Sequence, residues 1–491
     1  MTTTTESGGA DLDYARPFDP YALDPAEVRE PPSRLGHALR QVGPGLILAG
    51  AIVGTGELIA TTNVGAKVGF TLLWLVIVSC FIKVFVQVEL GRYAISSGHT
   101  TIQSFARLPG PGIAFVWWIV LMTLMTQFQL GAMIGGVGQA MHMTFPGVST
   151  WIGGSVPYVA SKPEMPWAVL TTVATILLLA NGSYRLVEKG TTAMVVLFTL
   201  VTVACVVLLP AAGHPIAWGE VASGLTFQIP ANPDARMAAF AMFGITGVGA
   251  AELIAYPYWC IEKGYARKAG PRELDGPWIQ RARGWLGVMK LDAWVSMGVY
   301  TLATLAFFFL GASVLHTGDG VGLPTSVNAM LNRLAQMYEP VMGQRAALVF
   351  IVVGVFAVLF STLYASTAAN ARGFTDALWV SRVIDLRDHA ARRRWITIFC
   401  VATPILDLLL YMRFPNPVGM VIIGGFAQAV TLPMIAAAAV FLRYRRTDQR
   451  LTAGKVWDTF LWLSFAALCG AAVYGLYDAY GKVLKMMNPA A

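Results

Sequence analysis

Residues 54–60, with the sequence GTGELIA, decide the fold, because they return as GAAELIA at residues 249–255. Both copies read G-x-x-E-L-I-A and lie within long apolar segments. They lie in the first and the sixth predicted membrane helix, and this odd offset of five gives the two copies opposite orientations in a membrane. Irregular, glycine-rich backbone is tolerated at membrane depth only where it lines a cavity. The repeat therefore predicts two broken helices in inverted repeats, an arrangement common in secondary transporters.

The composition of the whole chain agrees with a membrane protein. Of its 491 residues, 56% are hydrophobic and only 13% are charged, with a mean hydropathy of +0.60. Soluble domains carry about 25% charged residues. No nucleotide-binding loop, metalloprotease motif or paired cysteine spacing is present. We therefore expect no enzymatic activity, no cofactor, no nucleic-acid partner and no obligate protein partner, with membrane lipid around the molecule.

Eleven segments are apolar and long enough to approach the roughly 20 residues that a spanning helix needs. They are residues 44–66, 70–92, 113–142, 166–182, 187–210, 236–261, 287–311, 345–371, 395–412, 416–442 and 456–480. We predict an all-α polytopic membrane protein with a disordered cytosolic tail at 1–40 and one transmembrane domain at 41–491. Within that domain, repeat one spans about 44–210, repeat two about 236–442, and an extra helix about 456–480.

The basic residues predict the orientation of the chain. With the N-terminus in the cytoplasm, 26 of the 35 Lys and Arg residues fall in cytoplasmic segments and 8 in external ones, while Lys83 lies inside a helix. Basic residues concentrate in cytoplasmic loops. We therefore expect a multi-pass protein of the cell membrane with a cytoplasmic N-terminus and an external C-terminus.

Glu57 and Glu252 occupy the same position in the two copies of the repeat. A carboxylate at the centre of a membrane helix costs about 2.5–3.5 kcal/mol on insertion scales. One interpretation is that the pair binds a cation, a proton or both. The alternative is that each glutamate is protonated or hydrogen-bonded and holds the broken helices together.

Other polar residues at membrane depth are weaker candidates for a substrate pathway. Gln127 and Gln129 could face it, although such amides more often form hydrogen bonds between helices. Ser361, Thr362, Ser366 and Thr367 could offer hydroxyl ligands, but small polar residues are usually packing positions. Lys83 has two alternatives, a gating ion pair or a side chain that snorkels to the interface.

Several short motifs resemble one known family. Residues 43–47 (GPGLI) and 65–74 (GAKVGFTLLW) look like the first hairpin of the Nramp divalent-metal transporters. Residues 184–189 (YRLVEK) are similar to the entry to that family's fifth helix, and residues 244–247 (GITG) to the start of its broken sixth helix. The resemblance implies a leucine-transporter-like fold, with two inverted five-helix repeats and an eleventh transmembrane helix.

The metal motifs of that family are altered in this chain. Where the family has Asp-Pro-Gly-Asn, residues 54–57 read Gly-Thr-Gly-Glu; where it has Met-Pro-His, residues 251–253 read Ala-Glu-Leu. The thioether and histidine are both replaced. We predict a metal site at Gly54, Thr55, Glu57, Val248, Ala251 and Glu252, with backbone carbonyls near Gly54 and Val248 as oxygen donors beside the two carboxylates.

An oxygen-only site of this kind favours a hard cation, since carboxylate and carbonyl oxygens suit Mg²⁺ and Mn²⁺. The sequence thus predicts secondary active transport of a divalent cation (Mg²⁺, or a Mn²⁺- or Fe²⁺-like ion) by alternating access, with protons as a candidate coupling ion. The alternative is a transporter of the same fold for a small organic solute such as an amino acid. Paired glutamates, however, would repel a carboxylate.

Overall fold

The computed structural model describes Tyr21 and residues 25–54, 56–153, 157–180, 184–273, 276–386 and 389–487. In these residues the regular structure is entirely helical. We label the helices of the predicted spans α1 to α13. They are α1 (Pro44–Ile52), α2 (Thr62–Val68), α3 (Leu73–Ser97), α4 (Gly112–Thr144), α5 (Met165–Ala180), α6 (Tyr184–Leu208), α7 (Pro233–Ile245), α8 (Ala250–Glu262), α9 (Trp278–Leu310), α10 (Gln344–Val380), α11 (His389–Arg413), α12 (Pro417–Arg445) and α13 (Lys455–Met487).

Shorter helical pieces connect these helices. They are Leu35–Gln41, Thr101–Phe105, Pro146–Gly153, Pro157–Ser161, Trp218–Ser223, Tyr265–Ala269, Val327–Gln336 and Glu339–Met342, with 3₁₀ turns at Pro25–Glu27 and Gln449–Leu451. Two π-helical turns, Gly56–Thr61 and Gly311–Leu315, precede α2 and follow α9. The first π turn contains Glu57 and therefore belongs to the first break.

All eleven predicted segments contain helix, but not all form a single long span. Among the described residues, eight helices are long and apolar enough to cross a membrane, counting Pro233–Glu262 as one span. The bent pair formed by α1 and Gly56–Val68 makes a ninth. The fourth and fifth segments contain shorter apolar helices, α5 and Val195–Leu208.

Both copies of the repeat interrupt a helix, as the glycines predict. The first span bends by 40° between Ile52 and Gly56. The second is interrupted between Ile245 and Ala250, where Thr246 is extended and Gly247 has a φ of +66°. That φ lies in the left-handed region, which glycine reaches without the steric cost that a side chain would add.

Small residues also bring the broken helix against its neighbour. A Cβ added at Gly244, near the end of α7, would lie 2.1 Å from the carbonyl oxygen of Gly425 in α12. Only a residue without a side chain permits this approach. The contact fixes α12 beside the second break, and this position brings α12 side chains to the candidate site.

The segment before α1 packs against the bundle from Pro25 onward. Glu27 forms an ion pair of 2.7 Å with Arg267, and the indole nitrogen of Trp285 donates to the carbonyl oxygen of Arg29 at 2.9 Å. The sequence assigned residues up to 40 to a disordered tail. The last part of that tail is instead held by backbone and side-chain partners on the helix ends. Residues 1–20 and 22–24 lie outside the described residues.

A carboxylate in α9 holds the start of α1. The two Asp292 carboxylate oxygens accept hydrogen bonds from the backbone N–H groups of Gly43 and Gly45, at 2.8 and 2.6 Å. The Tyr256 hydroxyl of α8 donates to the same carboxylate at 3.0 Å. A negative group satisfies the free N–H groups at a helix N-terminus. Asp292 thus links α1, α8 and α9 at this end of the bundle.

Candidate functional site

The two helix breaks lie side by side in the centre of the bundle. The hydroxyl oxygens of Thr61 and Thr246, one from each break, are 3.1 Å apart. The backbone N–H of Gly247 donates to Glu57 Oε1 at 3.4 Å. The repeat seen in the sequence therefore forms one structural centre, with residues from both copies in contact.

Glu57 is fully buried between the breaks and α9. Its Oε1 also lies 2.9 Å from the Thr304 hydroxyl, which in turn lies 2.8 Å from the Tyr300 carbonyl oxygen. A threonine hydroxyl has a single proton to donate. An ionised Glu57 accepts that proton, whereas a protonated Glu57 can donate to Thr304 while Thr304 donates to Tyr300. The contact therefore accommodates both protonation states of Glu57.

The second carboxylate oxygen of Glu57 has a different environment. Glu57 Oε2 is buried and has no hydrogen-bond partner among the described residues. A buried charge without a partner is costly, so this oxygen needs a proton or a cation. Glu57 therefore has one oxygen that holds the breaks together and one that is available for a positive species.

Glu252 faces a small internal cavity of about 30 Å³ at the start of α8. Its Oε2 atom is also buried without a hydrogen-bond partner in the described part of the chain. A water molecule needs at least about 10–15 Å³ by this measure, so the cavity has room for about two waters or one ion. The polar residues that line it are Thr126, Gln129, Glu252, Thr362, Ser366, Asn370 and Gln428.

Two amides hold the wall of this cavity. Gln428 of α12 donates from Nε2 to Gln129 Oε1 of α4 at 3.1 Å. Its own Oε1 accepts from the backbone N–H of Ala251 at 3.0 Å, in the first turn of α8. Gln428 thus connects α4, α8 and α12 beside Glu252.

The structure brings together five of the residues proposed from the sequence. Gln129, Ala251, Glu252, Thr362 and Ser366 all line the cavity. Gly54 lies behind Thr362, because a Cβ on Gly54 would be 2.4 Å from the Thr362 hydroxyl oxygen. Thr55, which the sequence also assigned to the metal site, lies outside the described residues.

Four other candidates are placed away from the cavity walls. Glu57 and Val248 are both fully buried at the breaks, and neither lines the cavity. Gln127 donates to the Thr123 carbonyl of its own helix at 3.1 Å, and Ser361 donates to the Val358 carbonyl of its own helix at 3.0 Å.

Sequence reasoning missed Gln428, Asn370 and Thr126 as cavity residues, whereas Ser366 was among the predicted hydroxyl ligands. The available signal was an amide or hydroxyl inside an apolar segment. Such groups usually make hydrogen bonds between helices, and nothing in the spacing shows which of them meet. The approach of α12 to the second break selects Gln428.

The donors in this site are hard oxygen atoms. Among the described residues, no group of three or more His, Cys, Asp or Glu side chains is placed to hold a metal ion. A cation here would use the Glu252 carboxylate, amide and hydroxyl oxygens, backbone carbonyls and water. This donor set suits Mg²⁺, Ca²⁺ or Mn²⁺ better than softer metals.

Comparison with known proteins identifies the family. The family model described as "Natural resistance-associated macrophage protein-like" matches residues 45–478. The chain belongs to the Nramp family. It is 24% identical over 431 residues to an uncharacterized protein of Pasteurella multocida. The aligned region covers 87% of this chain and 89% of that relative. It is 21% identical over 441 residues to the divalent metal cation transporter MntH of Brucella suis, covering 89% and 87%.

Solved structures confirm the predicted fold of this Nramp protein. A mutant of the Eremococcus coleocola manganese transporter matches with a TM-score of 0.65 at 16% identity, covering 95% of this chain and 91% of that one. Mhp1, a nucleobase-cation-symport-1 family transporter, matches with a TM-score of 0.54 at 15% identity and 93% coverage of both chains. The chain therefore has the leucine-transporter-like fold of inverted repeats, and it is a multi-pass membrane protein.

Proposed function

We propose that this Nramp protein is a secondary active transporter that moves a divalent cation across the membrane by alternating access. Glu252 provides the observation on which the proposal depends. One of its carboxylate oxygens is buried without a hydrogen-bond partner among the described residues and borders a cavity of ion size. A cation bound there would compensate the cost of burying that charge.

The oxygen donors favour Mg²⁺, or a Mn²⁺- or Fe²⁺-like ion, as the substrate. Mg²⁺ commonly keeps several waters and needs only one or two carboxylates, which suits a site with Glu252 and neighbouring amides. Relatives and structural neighbours named as transporters of divalent metals or manganese support Mn²⁺ as well. Because the family's thioether ligand is replaced by Ala251, we expect weaker selection for soft metals.

We include proton exchange as the partner reaction of the two glutamates. They belong to two breaks that are in direct contact, since the Thr61 and Thr246 hydroxyl oxygens are 3.1 Å apart. Two negative charges in adjoining parts of a low-dielectric site repel each other. Release of the cation would therefore favour uptake of a proton. The hydrogen bond between Glu57 and Thr304 is compatible with both the ionised and the protonated carboxyl group.

The positive-inside pattern supports a cytoplasmic N-terminus and an external C-terminus. Under this orientation Asp292 holds the start of α1 at the cytoplasmic side. Labelling of single cysteines introduced near Glu220 and near Arg450 in intact cells would test the topology. Access of a membrane-impermeant reagent only at residue 220 is expected.

An organic substrate is less compatible with the cavity. The space that water-sized groups can occupy is about 30 Å³, which suits about two waters or one ion. The side chains of Gln428 and Gln129, which line this cavity, are held in place by their mutual hydrogen bond. We therefore retain the divalent cation as the proposed substrate.

Uptake by purified protein in liposomes tests the proposal. We expect entry of Mn²⁺ or Mg²⁺ above the rate of empty vesicles, with and without an imposed pH gradient. Glu252→Gln should abolish most of this uptake, since it removes the charge and keeps the shape. Glu220→Gln, on an exposed short helix, is the matched control and should transport normally. Equal uptake by protein-containing and empty vesicles for every divalent ion would refute the function.

A further inference from the structure

Lys83 is a buried lysine inside the membrane-spanning helix α3. A charged side chain within a membrane helix is costly, so its position calls for specific partners. The sequence offered an ion pair or a snorkelling side chain, and the structure shows neither arrangement. The Lys83 side chain points to the second helix break.

The ammonium group of Lys83 binds the end of α7. Its Nζ donates to the carbonyl oxygen of Thr246 at 2.8 Å and also to the carbonyl oxygen of Phe243. The Ser79 hydroxyl, one turn earlier in α3, approaches the same two carbonyl oxygens at 3.2 and 3.4 Å. Nζ also lies 4.8 Å from the centre of the Phe243 ring.

These carbonyls are the ones that a broken helix leaves without partners. The last carbonyl groups of a helix have no intrahelical donor, and the helix dipole makes that end negative. In transporters with interrupted helices, half-helix C-terminal ends and unwound carbonyls coordinate the coupling cation. In this protein the ammonium of Lys83 occupies that position. Gly247, the next residue after Thr246, donates to Glu57, so the ammonium and this carboxylate bind adjacent residues of the same break.

We propose that Lys83 is a tethered cation that takes the place of a mobile alkali cation at the break between α7 and α8. Because this role concerns the same breaks, it rests on the proposed transport function. The fixed charge satisfies the end of α7 and partly balances the two glutamates. The protein should consequently carry its substrate without Na⁺ or K⁺ as a second bound ion.

Removal of Lys83 should create a site for a mobile cation. Lys83→Ala removes the charged donor to the carbonyls of Phe243 and Thr246, leaves them only the longer contacts of the Ser79 hydroxyl, and opens space of about one side chain beside them. Na⁺, or methylammonium as a small analogue of the missing group, should bind there. Lys83→Met fills the same space without a charge and should not be rescued.

Thermal unfolding of the purified full-length protein provides the first test. Wild-type protein should melt at the same temperature in choline, sodium and methylammonium chloride at equal ionic strength. Lys83→Ala should melt lower in choline and recover by several degrees, saturably, in Na⁺ or methylammonium. Lys290→Ala is the matched control, since Lys290 of α9 lies over the Trp457 ring and contributes no contact to the break. It should show no cation-specific recovery.

Liposome uptake provides the second test and separates the two proposals. Wild-type uptake of Mn²⁺ or Mg²⁺ should be equal with Na⁺ or choline outside, whereas Lys83→Ala should require Na⁺ or methylammonium. A saturable dependence of the wild type on Na⁺ would overturn the tethered-cation role, even if Lys83→Ala fails to fold. Equal loss of stability by Lys83→Ala in all three salts would reduce Lys83 to a structural contact. Cation-specific recovery without any divalent uptake by the wild type would instead refute only the proposed transport function.

Discussion

Gly249 lies so close to Glu252 that a Cβ added to Gly249 would stand 2.5 Å from Glu252 Oε2 and 2.6 Å from Gln428 Oε1. The glycine of the second repeat copy therefore makes room for the carboxylate and the amide that border the cavity. Its role follows from this close approach, because its own φ of −74° is accessible to other residues.

Gly249→Ala should abolish cation binding while the protein still folds. The added methyl group has to displace the Glu252 carboxylate or the Gln428 amide, and both border the cavity. Binding of Mn²⁺, measured by calorimetry on purified protein, should become undetectable. Gly298→Ala in α9, where a Cβ meets nothing within 4 Å, is the control and should gain about 0.5–1 kcal/mol of stability. Normal binding by Gly249→Ala would contradict the assignment of the site.

Gln428→Met should weaken cation binding by about tenfold or more, as for residues that orient metal ligands. The change removes the acceptor for Ala251 N–H and the donor to Gln129, so the cavity wall loses its alignment. The matched control is Gln127→Met, which deletes an amide bonded only within α4. Equal affinities of these two variants would argue against a role for Gln428.

Thr304→Val should destabilise the protein by about 1 kcal/mol, the typical net value of one hydrogen bond. The substitution keeps the shape of the side chain and removes the hydroxyl that contacts Glu57. Thermal unfolding in detergent measures the effect. Thr397→Val, whose hydroxyl contacts only the Arg393 carbonyl of its own helix, should change stability far less. If Thr304→Val leaves the unfolding temperature unchanged, the contact between Thr304 and Glu57 does not hold the breaks together.

His99, in the loop after α3, should make stability fall in mild acid. Burial, and then the charge of Arg107, lower the pKa of His99 to about 4, from about 6.5 in an unfolded chain. Between these values the unfolded state binds more protons, so stability is lost as the pH falls from about 6.5 towards 4. His99→Gln should flatten the unfolding temperature across this window. The effect should be modest, because His99 is only half buried.

The sequence predicted the spans and the positions of both breaks, because local composition controls them. Apolar length determines which segments cross a membrane, and the glycines of the repeat mark where the helices are interrupted. The sequence could not predict that Gln428 and Glu252 border the same cavity, since that placement depends on Gly244 approaching Gly425 across 181 residues of chain. The ordered packing of residues 25–40 was also missed, as its partners lie on distant helix ends.

Glu57 and Glu252 show which features the sequence determined and which depended on tertiary structure. The sequence alone determined that two matching glutamates occupy two inverted helix breaks, and it treated Glu57 and Glu252 as equivalent. Tertiary packing made them different. Glu57 meets Thr304 of α9 and the backbone of Gly247, whereas Glu252 borders a cavity beside Gln428. The physical reason is that identical local motifs fix the backbone break, while the helices packed around each copy determine which partners each carboxylate meets.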